Sequence, residues 1–559
     1  MMMQRDMGRR RFLQLGSGIG LSAVVGTGLV ACGGDSGSDD AGSATGGPGG
    51  NGQTPDGGGR VVLPTYQRFD GIEPDLPGDE HGVPDAYFSY PRPANPSTDG
   101  PPGSGGVVRA MFGITTTVPP AMGRNAHWQG LNERLGVELQ LNMMPMSDYP
   151  TTFQSSIAGG DLPDLVQVAP TTPRLPDMLE ATFTDLTEYL SGDAVLEYPN
   201  LANLHPYAWE HCIYNNGIYA VPMLNLRAPN NMHVRQDIVD AKALNGDPAD
   251  AEEFFELCQG LTDDRANTYA LAQPTAILNN FITRMFEAPV GWSADGGAFV
   301  NAWETEEFKA ALEYTARLWE AGIFHPDSFA GANHSQLFRS GGVAMMAEGG
   351  LHYRSVLADE VPGLDLTFMA PPLADGGGYA PVVHGTGVYR LTAIKQGLDE
   401  DRTRELLRIL NWLAAPFGTE EYLYLNFGVE DEHHTWDDNQ GVPDPTDKLG
   451  TERTPVDLVV RPPVPVFDPA YPQVAERFYH HQKQVVPNGI SNPTAGLYSE
   501  TEDRSGQAFN APVSDAINEI IQGRRPITDW DQVIDTWRNS GGDDARGEYE
   551  VAFEERVNS

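Results

Sequence analysis

Residues 136–170 read GVELQLNMMPMSDYPTTFQSSIAGGDLPDLVQVAP, and the change of hydrophobic period inside them decides the fold. The opening ten residues alternate apolar and polar side chains, the pattern of a half-buried strand. DYPTTFQSSIAGG reads as a helix stopped by glycine, and DLPDLVQVAP as a short buried strand. Upstream, GVVRAMFGITT at 106–116 is another apolar strand. Trp128, Leu131 and Leu135, at i, i+3 and i+7, mark one face of a helix near 125–135. The succession is β-α-β-α-β, which predicts a mostly parallel sheet with helices on its faces.

Beyond Gln236 the pattern turns mainly helical. ETEEFKAALEYTARLWEAG at 304–322 puts Phe308, Leu312, Thr315 and Trp319 on one stripe and stops at Gly322. GGVAMMAEGG and LDLTFMAPP are apolar enough for strands. DEDRTRELLRILNWLAAPFG at 399–418 is an amphipathic helix with three acids at its positive end.

The chain begins differently. GRRRFLQLGSGIGLSAVVGTGLVACGG at 8–34 has a basic start, an apolar run and small residues before Cys32, which is the layout of an export signal. Leu29, Val30 and Ala31 before Cys32 resemble a bacterial lipobox, so residues 1–31 are read as a signal peptide and Cys32 as the lipidated N-terminus. Arg9, Arg10 and Arg11 before Phe12 resemble a twin-arginine signal. Residues 32–106 are read as a Gly/Ser/Pro-rich tether. Its first part has nothing to bury, and its proline-rich part from Arg60 is expected to be extended and laid on the body through Tyr66, Tyr87, Phe88 and Tyr90.

Lys and Arg number 36 against 77 Asp and Glu, a formal charge of −41 over 559 residues. Such a field repels phosphate backbones, so nucleic acid is excluded as a partner. Cys212 and Cys258 are far apart and form no metal or disulfide framework; they are either thiols or one optional bridge. HExxH and GxSxG are absent. HTWDDNQG fails as a calcium loop because Trp436 stands where an acid is required. The adjacent pairs His433–His434 and His480–His481 lack zinc-helix spacing and are expected in solvated loops. No metal, cofactor or catalytic residue is expected.

SSIAGGDLPDLVQV, NNGIYAVPMLNLRAPNNMHVRQDIVD, LFRSGGVAMMAEGG, LNFGVEDEHHTWDDNQGVP and the tail from Asp515 to Arg556, in that order behind a lipobox, resemble the extracellular solute-binding proteins of carbohydrate ABC importers. They are similar to the maltose-binding-protein class and its LipO-like lipoproteins. The resemblance implies a two-lobed periplasmic-binding-protein-like α/β fold of type II, each lobe a mostly parallel sheet flanked by helices, joined by a hinge. Lobe one would span 107–225 with a return segment from about 364, and lobe two 226–363. The return crossover and C-terminal helices, 364–559, would be shared. YAVPMLN would be the first crossover, and LTFMAPP leading to VVHGTGVYRL the return. Implied partners are a sugar or oligosaccharide, the ABC permease subunits and, through the lipid anchor, the outer face of the cell membrane; a monomer is expected. Glu430, Asp431, Glu432, His433 and His434 depart from the Glu-Gly-x-His-Tyr of relatives.

A sugar site needs aromatic faces and planar polar groups in a cleft. Of nine tryptophans, Trp128, Trp209, Trp319, Trp412, Trp530 and Trp537 read as core, while Trp292, Trp303 and Trp436 sit in loop-like contexts, and of these Trp292 and Trp436 are ligand candidates. Glu348, His352 and Tyr353 lie where relatives carry an aromatic platform. Arg227 follows the first crossover, His384 lies in the return, and Gln167 and Thr171 stand at a strand end, where open α/β sheets bind ligands. The alternatives are a secreted glycosidase using two carboxylates, or a surface polysaccharide- or peptide-binding protein without transport.

Overall fold

The computed structural model describes residues 61–357, 361–437 and 441–558. The signal, Cys32 and the glycine-rich start of the tether lie outside the described residues. The decisive stretch folds as read: β1 (Val107–Ile114), α1 (Ala126–Leu135), β2 (Glu138–Pro145), α2 (Tyr149–Gly159) and β3 (Leu165–Val168). The Asn125 side chain caps α1 by accepting from Trp128 N at 2.9 Å, and Gly136, in the left-handed region, ends it. β1 pairs in parallel with both β2 and β3.

β4 (Val221–Leu224) is the other edge of this sheet, and the chain then leaves it to form β5 (Asn230–Arg235), the stripe-bearing helix α3 (Glu306–Glu320), β6 (Met345–Gly349) and β7 (Leu366–Met369). It comes back as β8 (Val388–Ile394), which inserts antiparallel between β3 and β4 and completes the order β2-β1-β3-β8-β4. The second sheet has β5 at its centre with β6 and β7 antiparallel on either side. Only isolated bridges from Tyr269 to Val343 and from Leu271 to Phe324 extend it in parallel. The expected α/β class holds, but only the first sheet carries the expected parallel pairs, mixed with antiparallel ones, while the strand pairs of the second are antiparallel, because each crossover delivers its strand running against its neighbours.

Each sheet has its own apolar core. The first gathers side chains from 108 to 224 and from 388 to 460, including α4 (Glu400–Leu413) and α5 (Glu420–Phe427). The second joins β5, β6 and α3 to α7 (Glu500–Ile521), α8 (Trp530–Trp537) and residues of the closing helix α9 (Asp543–Asn558). On the opposite face of the second sheet, Phe478 and Tyr479 of α6 (Pro472–Val485) pack with Leu226, Met346 and Leu366.

Three stretches pass between the lobes. The first two run side by side, with Asn225 N donating to Gly387 O at 2.8 Å and Gly385 N to Arg227 O at 2.9 Å. Gly387 has φ +70, and a Cβ there would meet the Tyr207 ring at 2.1 Å, so glycine is required. The third is the proline-rich RPPVPV at 461–466. It starts beside β4, where Leu224 N donates to Arg461 O at 3.4 Å, and ends in Val466–Phe467, paired in parallel with Ala86–Tyr87.

The proline-rich segment from Val61 is therefore not a free tether. Thr65 N donates to Gly192 O and Gln67 N to Ala202 O on lobe one; Tyr479 of lobe two donates its hydroxyl to Pro77 O. Tyr87 and Tyr90 then join Phe417, Phe427, Val442 and Phe467 in a small aromatic core. The segment straps both lobes because its tyrosines and valines find apolar partners that the glycine-rich stretch before it could not use. Of the histidine pairs, His480 is exposed as expected, but the other three differ. His433, His434 and His481 are buried, His433 accepting from Val429 N at 3.1 Å and His481 facing Asn231 Oδ1 at 2.6 Å. Cys212 and Cys258 are free and buried.

Candidate functional site

The carboxyl ends of β1, β3 and β4 and the start of β8 share one edge of the first sheet, the edge at which α/β sheets take ligands. A cavity of about 270 Å³ opens there, lined by Thr115, Thr116, Asn225 and Tyr389 from that edge and by Leu351 and Arg354 from the segment after β6. Such a space far exceeds the roughly 10–15 Å³ a single water requires. The remaining wall comes from α5 and from the approach to the third crossing: Tyr422, Leu425, Asn426, Arg453, Val456, Asp457, Leu458 and Arg461 to Pro465. Both lobes thus contribute to one concave surface.

Its polar groups interlock loosely. Asp457 sits 3.2 Å from Arg453 and 3.7 Å from Arg461; burial alone would raise its pKa, but the two guanidiniums hold it below the usual carboxylate range. Arg453 also reaches Asn426 Oδ1 at 3.4 Å. Arg390 and Arg461 place their guanidinium carbons 5.0 and 5.4 Å from the Tyr389 ring centroid. Arg354 is fixed from behind by Asp468 at 2.8 Å, which burial pushes up against the pull of that arginine. Burial also lifts the Tyr422 hydroxyl to about 12 among the charges of Arg354, Arg453, Asp457 and Asp468. Apolar Leu351, Leu413, Leu425 and Val456 supply the rest of the lining.

Behind the partition the arrangement is tighter. Asn225, Pro463, Val464 and Pro465 line this cavity and also a second one of about 60 Å³ on the side of the strap, so the crossing segments separate the two. Arg227 and His384 belong to the hinge itself. His384 Nδ1 accepts from Arg227 Nε at 3.3 Å, while its Nε2 faces Val486 O at 2.7 Å; burial lowers its pKa, so the ring is neutral with the proton on Nε2. The Arg227 guanidinium lies 4.5 Å from the Tyr207 ring. Neither residue lines the larger cavity.

Several other candidates stand apart from it too. Trp292 opens a hairpin (Trp292–Asp295 with Ala298–Asn301) that the C-terminal helices cover, and it is buried against Trp537 and Tyr549 at 6.0 and 5.6 Å. The loop-like context is a hairpin, with Gly296 and Gly297 at its turn. Tyr353 is fully buried, its hydroxyl donating to Asp468. Trp436 carries the Arg92 guanidinium at 4.7 Å and packs near Tyr90 of the strap. Gln167 is a strut: it accepts from Gly113 N at 3.3 Å and donates to Leu458 O at 3.1 Å. Thr171 is exposed just past β3, and Glu348, near the end of β6, meets His334 at 3.4 Å. The side chain of His352 lies outside the described residues.

Sequence reasoning missed the cavity arginines. Arg354 follows Tyr353 directly. Arg453, Asp457 and Arg461 recur at four-residue spacing before a run of prolines, a pattern that signals charged side chains on one side of an extended passage.

A family model described as bacterial extracellular solute-binding protein matches residues 129–424, more than half of the chain. The polygalacturonan/rhamnogalacturonan-binding protein YtcQ of Bacillus subtilis (strain 168) is 20% identical over 442 residues, covering 75% of this chain and 86% of YtcQ. Lipoprotein LipO of the same organism is 19% identical over 474 residues, covering 79% and 91%. Among solved structures, the N-glycan transport solute-binding protein NgtS of Streptococcus pneumoniae superposes with a TM-score of 0.60 at 13% identity, covering 81% of this chain and 99% of NgtS. The alginate-binding protein AlgQ2 without calcium ion gives 0.54 at 15% identity, covering 82% and 99%. The two-lobed architecture and the family match agree: the chain belongs to the bacterial extracellular solute-binding proteins.

Proposed function

We propose that this protein captures a sugar or oligosaccharide in the cavity between its lobes and hands it to the permease of an ABC importer. The observation that carries the reading is the make-up of that cavity's wall. Two tyrosines and apolar leucine and valine side chains can cover the non-polar face of a pyranose, while Asn225, Asn426, Asp457 and the arginines offer planar donors and acceptors to its hydroxyls. YtcQ, named for binding two polysaccharides, supports the same class of solute. Cys32 would carry the lipid that holds the protein on the outer membrane face as a monomer, with residues 1–31 removed; mass spectrometry of the native protein should find an acylated Cys32.

Capture works by closure. A ligand shifts the open–closed balance only by its difference in affinity for the two states, and contact with both lobes supplies that difference. Thr115 and Arg461 would hold the solute from lobe one, Leu351 and Arg354 from lobe two, with Thr171 and Glu348 at the facing edges. Arg227 and His384 would set the hinge. A thermal-shift screen of mono- and oligosaccharides should find one that raises the melting temperature, shrinks the radius of gyration in solution scattering, and is recovered unchanged. A saccharide that binds without compaction sinks the closure mechanism; its hydrolysis points to a glycosidase; no response from any saccharide overturns the reading.

A further inference from the structure

The cavity's charge is at odds with that of the whole molecule. Arg354, Arg453 and Arg461 line it, and Arg390 joins them across the Tyr389 ring. Against the three lining guanidiniums stand two carboxylates, Asp457 and Asp468, leaving one positive charge even when both acids are counted as ionised, and Arg390, outside the lining, adds a second from across the Tyr389 ring. Arg390 reaches only Tyr389 O at 3.2 Å and Met146 Sδ at 3.9 Å, and makes no ion pair among the described residues. Asp457 is stretched between two arginines at 3.2 and 3.7 Å, distances at which hydrogen bonds are weak. A concave, partly desolvated wall with surplus cations is costly unless an anion completes it. A neutral sugar does not balance that charge, and a chain carrying −41 repels anions at long range, so any attraction for one has to be local.

Resting on the sugar-binding reading, we propose that the solute is an oligosaccharide bearing carboxylates, a uronic-acid chain, held by Arg461 of lobe one and Arg354 of lobe two, with Arg390 adding its charge from across the Tyr389 ring. The planar guanidinium fork matches a carboxylate bidentately, which gives register along the sugar chain as well as affinity.

The test is calorimetric titration of the purified full chain with three size-matched probes: a uronic-acid trisaccharide, its methyl ester and a neutral trisaccharide. The acid form should bind at least about tenfold more tightly than either other probe, in line with a charge-assisted hydrogen bond, and the advantage should shrink as salt is raised. Arg461→Gln should remove most of that advantage and Arg390→Gln a smaller part, while the melting temperature of the free protein moves no further than loss of a weak surface ion pair allows. Equal affinity for the ester and the acid overturns the carboxylate proposal but leaves sugar capture standing. Binding of none of these saccharides overturns both.

Discussion

The crossing segments have two faces, and they are built to opposite specifications. On the strap side the contacts are close: Tyr87 stacks on Phe417 at 4.2 Å, Tyr90 donates to Thr419 O at 2.8 Å, and the Glu421 carboxylate accepts from Ser97 N, Thr98 N and Thr98 Oγ1 at 2.8–3.0 Å. On the cavity side Arg453 and Arg461 hold their acid at 3.2 and 3.7 Å, and the void is more than four times larger, 270 against 60 Å³. One face fixes the lobes to a common frame, and the other leaves its donors loosely paired, as the proposed solute site would require. Stability and affinity should therefore respond to different residues.

The largest expected effect is on the engaged face. Tyr90 is 3% exposed, and its ring touches Phe417, Phe427 and Phe467. Tyr90→Ala should cost about 3–5 kcal/mol of unfolding free energy, as truncation of a buried aromatic does, measured by denaturant titration. A loss below about 1 kcal/mol would mean that the strap is laid on a frame that stands without it.

Next comes Glu421→Ala, expected to cost about 2–3 kcal/mol because it strands two backbone N–H groups of the strap beside a buried helix. The same change should leave solute affinity within about twofold, since Glu421 does not line the cavity. A large loss of affinity without loss of stability would reverse the roles assigned to the two faces.

This division also explains what could be read from the chain alone. The β-α-β-α-β order was legible because hydrophobic period is local, and α1 and α2 begin and end where Asn125, Gly136 and Gly160 say they should. The hinge was legible as a place, since Arg227 and His384 do meet there. The site was not. Aromatic residues were nominated for a sugar platform, yet Trp292, Trp436 and Tyr353 serve cores and the strap, because a ring's partner is set by elements hundreds of residues away, such as α9 over Trp292. Arg227 is legible beside the first crossover, but the cavity guanidiniums are not, because a charged residue at a turn ordinarily faces solvent, and only the folded partition shows Arg453 and Arg461 facing Arg354 across a cavity. The burial of His433 and His481 was hidden for the same reason.

Acid should wear the engaged face away by a smaller amount. His205 lies between Tyr66 and Tyr207, stacked at 5.5 and 5.1 Å, and burial, helped by the charges of Arg68 and Arg227, lowers its pKa to about 4. An unfolded histidine titrates near 6.5, so between these values the unfolded chain binds the extra proton and stability falls as pH falls. From pH 7 to 5 this one group should remove about 1–2 kcal/mol. His205→Gln should flatten that part of the stability profile; an unchanged slope would show that His205 accepts its proton in the folded state.

The smallest effect belongs to the cavity face, and it is the most discriminating. Arg461 is 24% exposed, its one ion pair among the described residues is the long contact to Asp457, and Asp457 keeps Arg453 when Arg461 is removed. Nothing buried is stranded by Arg461→Gln, so the cost to the free protein should be that of a weak surface pair, about 0–1 kcal/mol. If repulsion among the surplus guanidiniums strains the empty wall, the substitution should even raise the melting temperature slightly, and added salt should erase the gain by screening the same repulsion in the parent. A loss as large as that of Tyr90→Ala would make Arg461 part of the frame, and the contrast between a face that holds and a face that waits would fail.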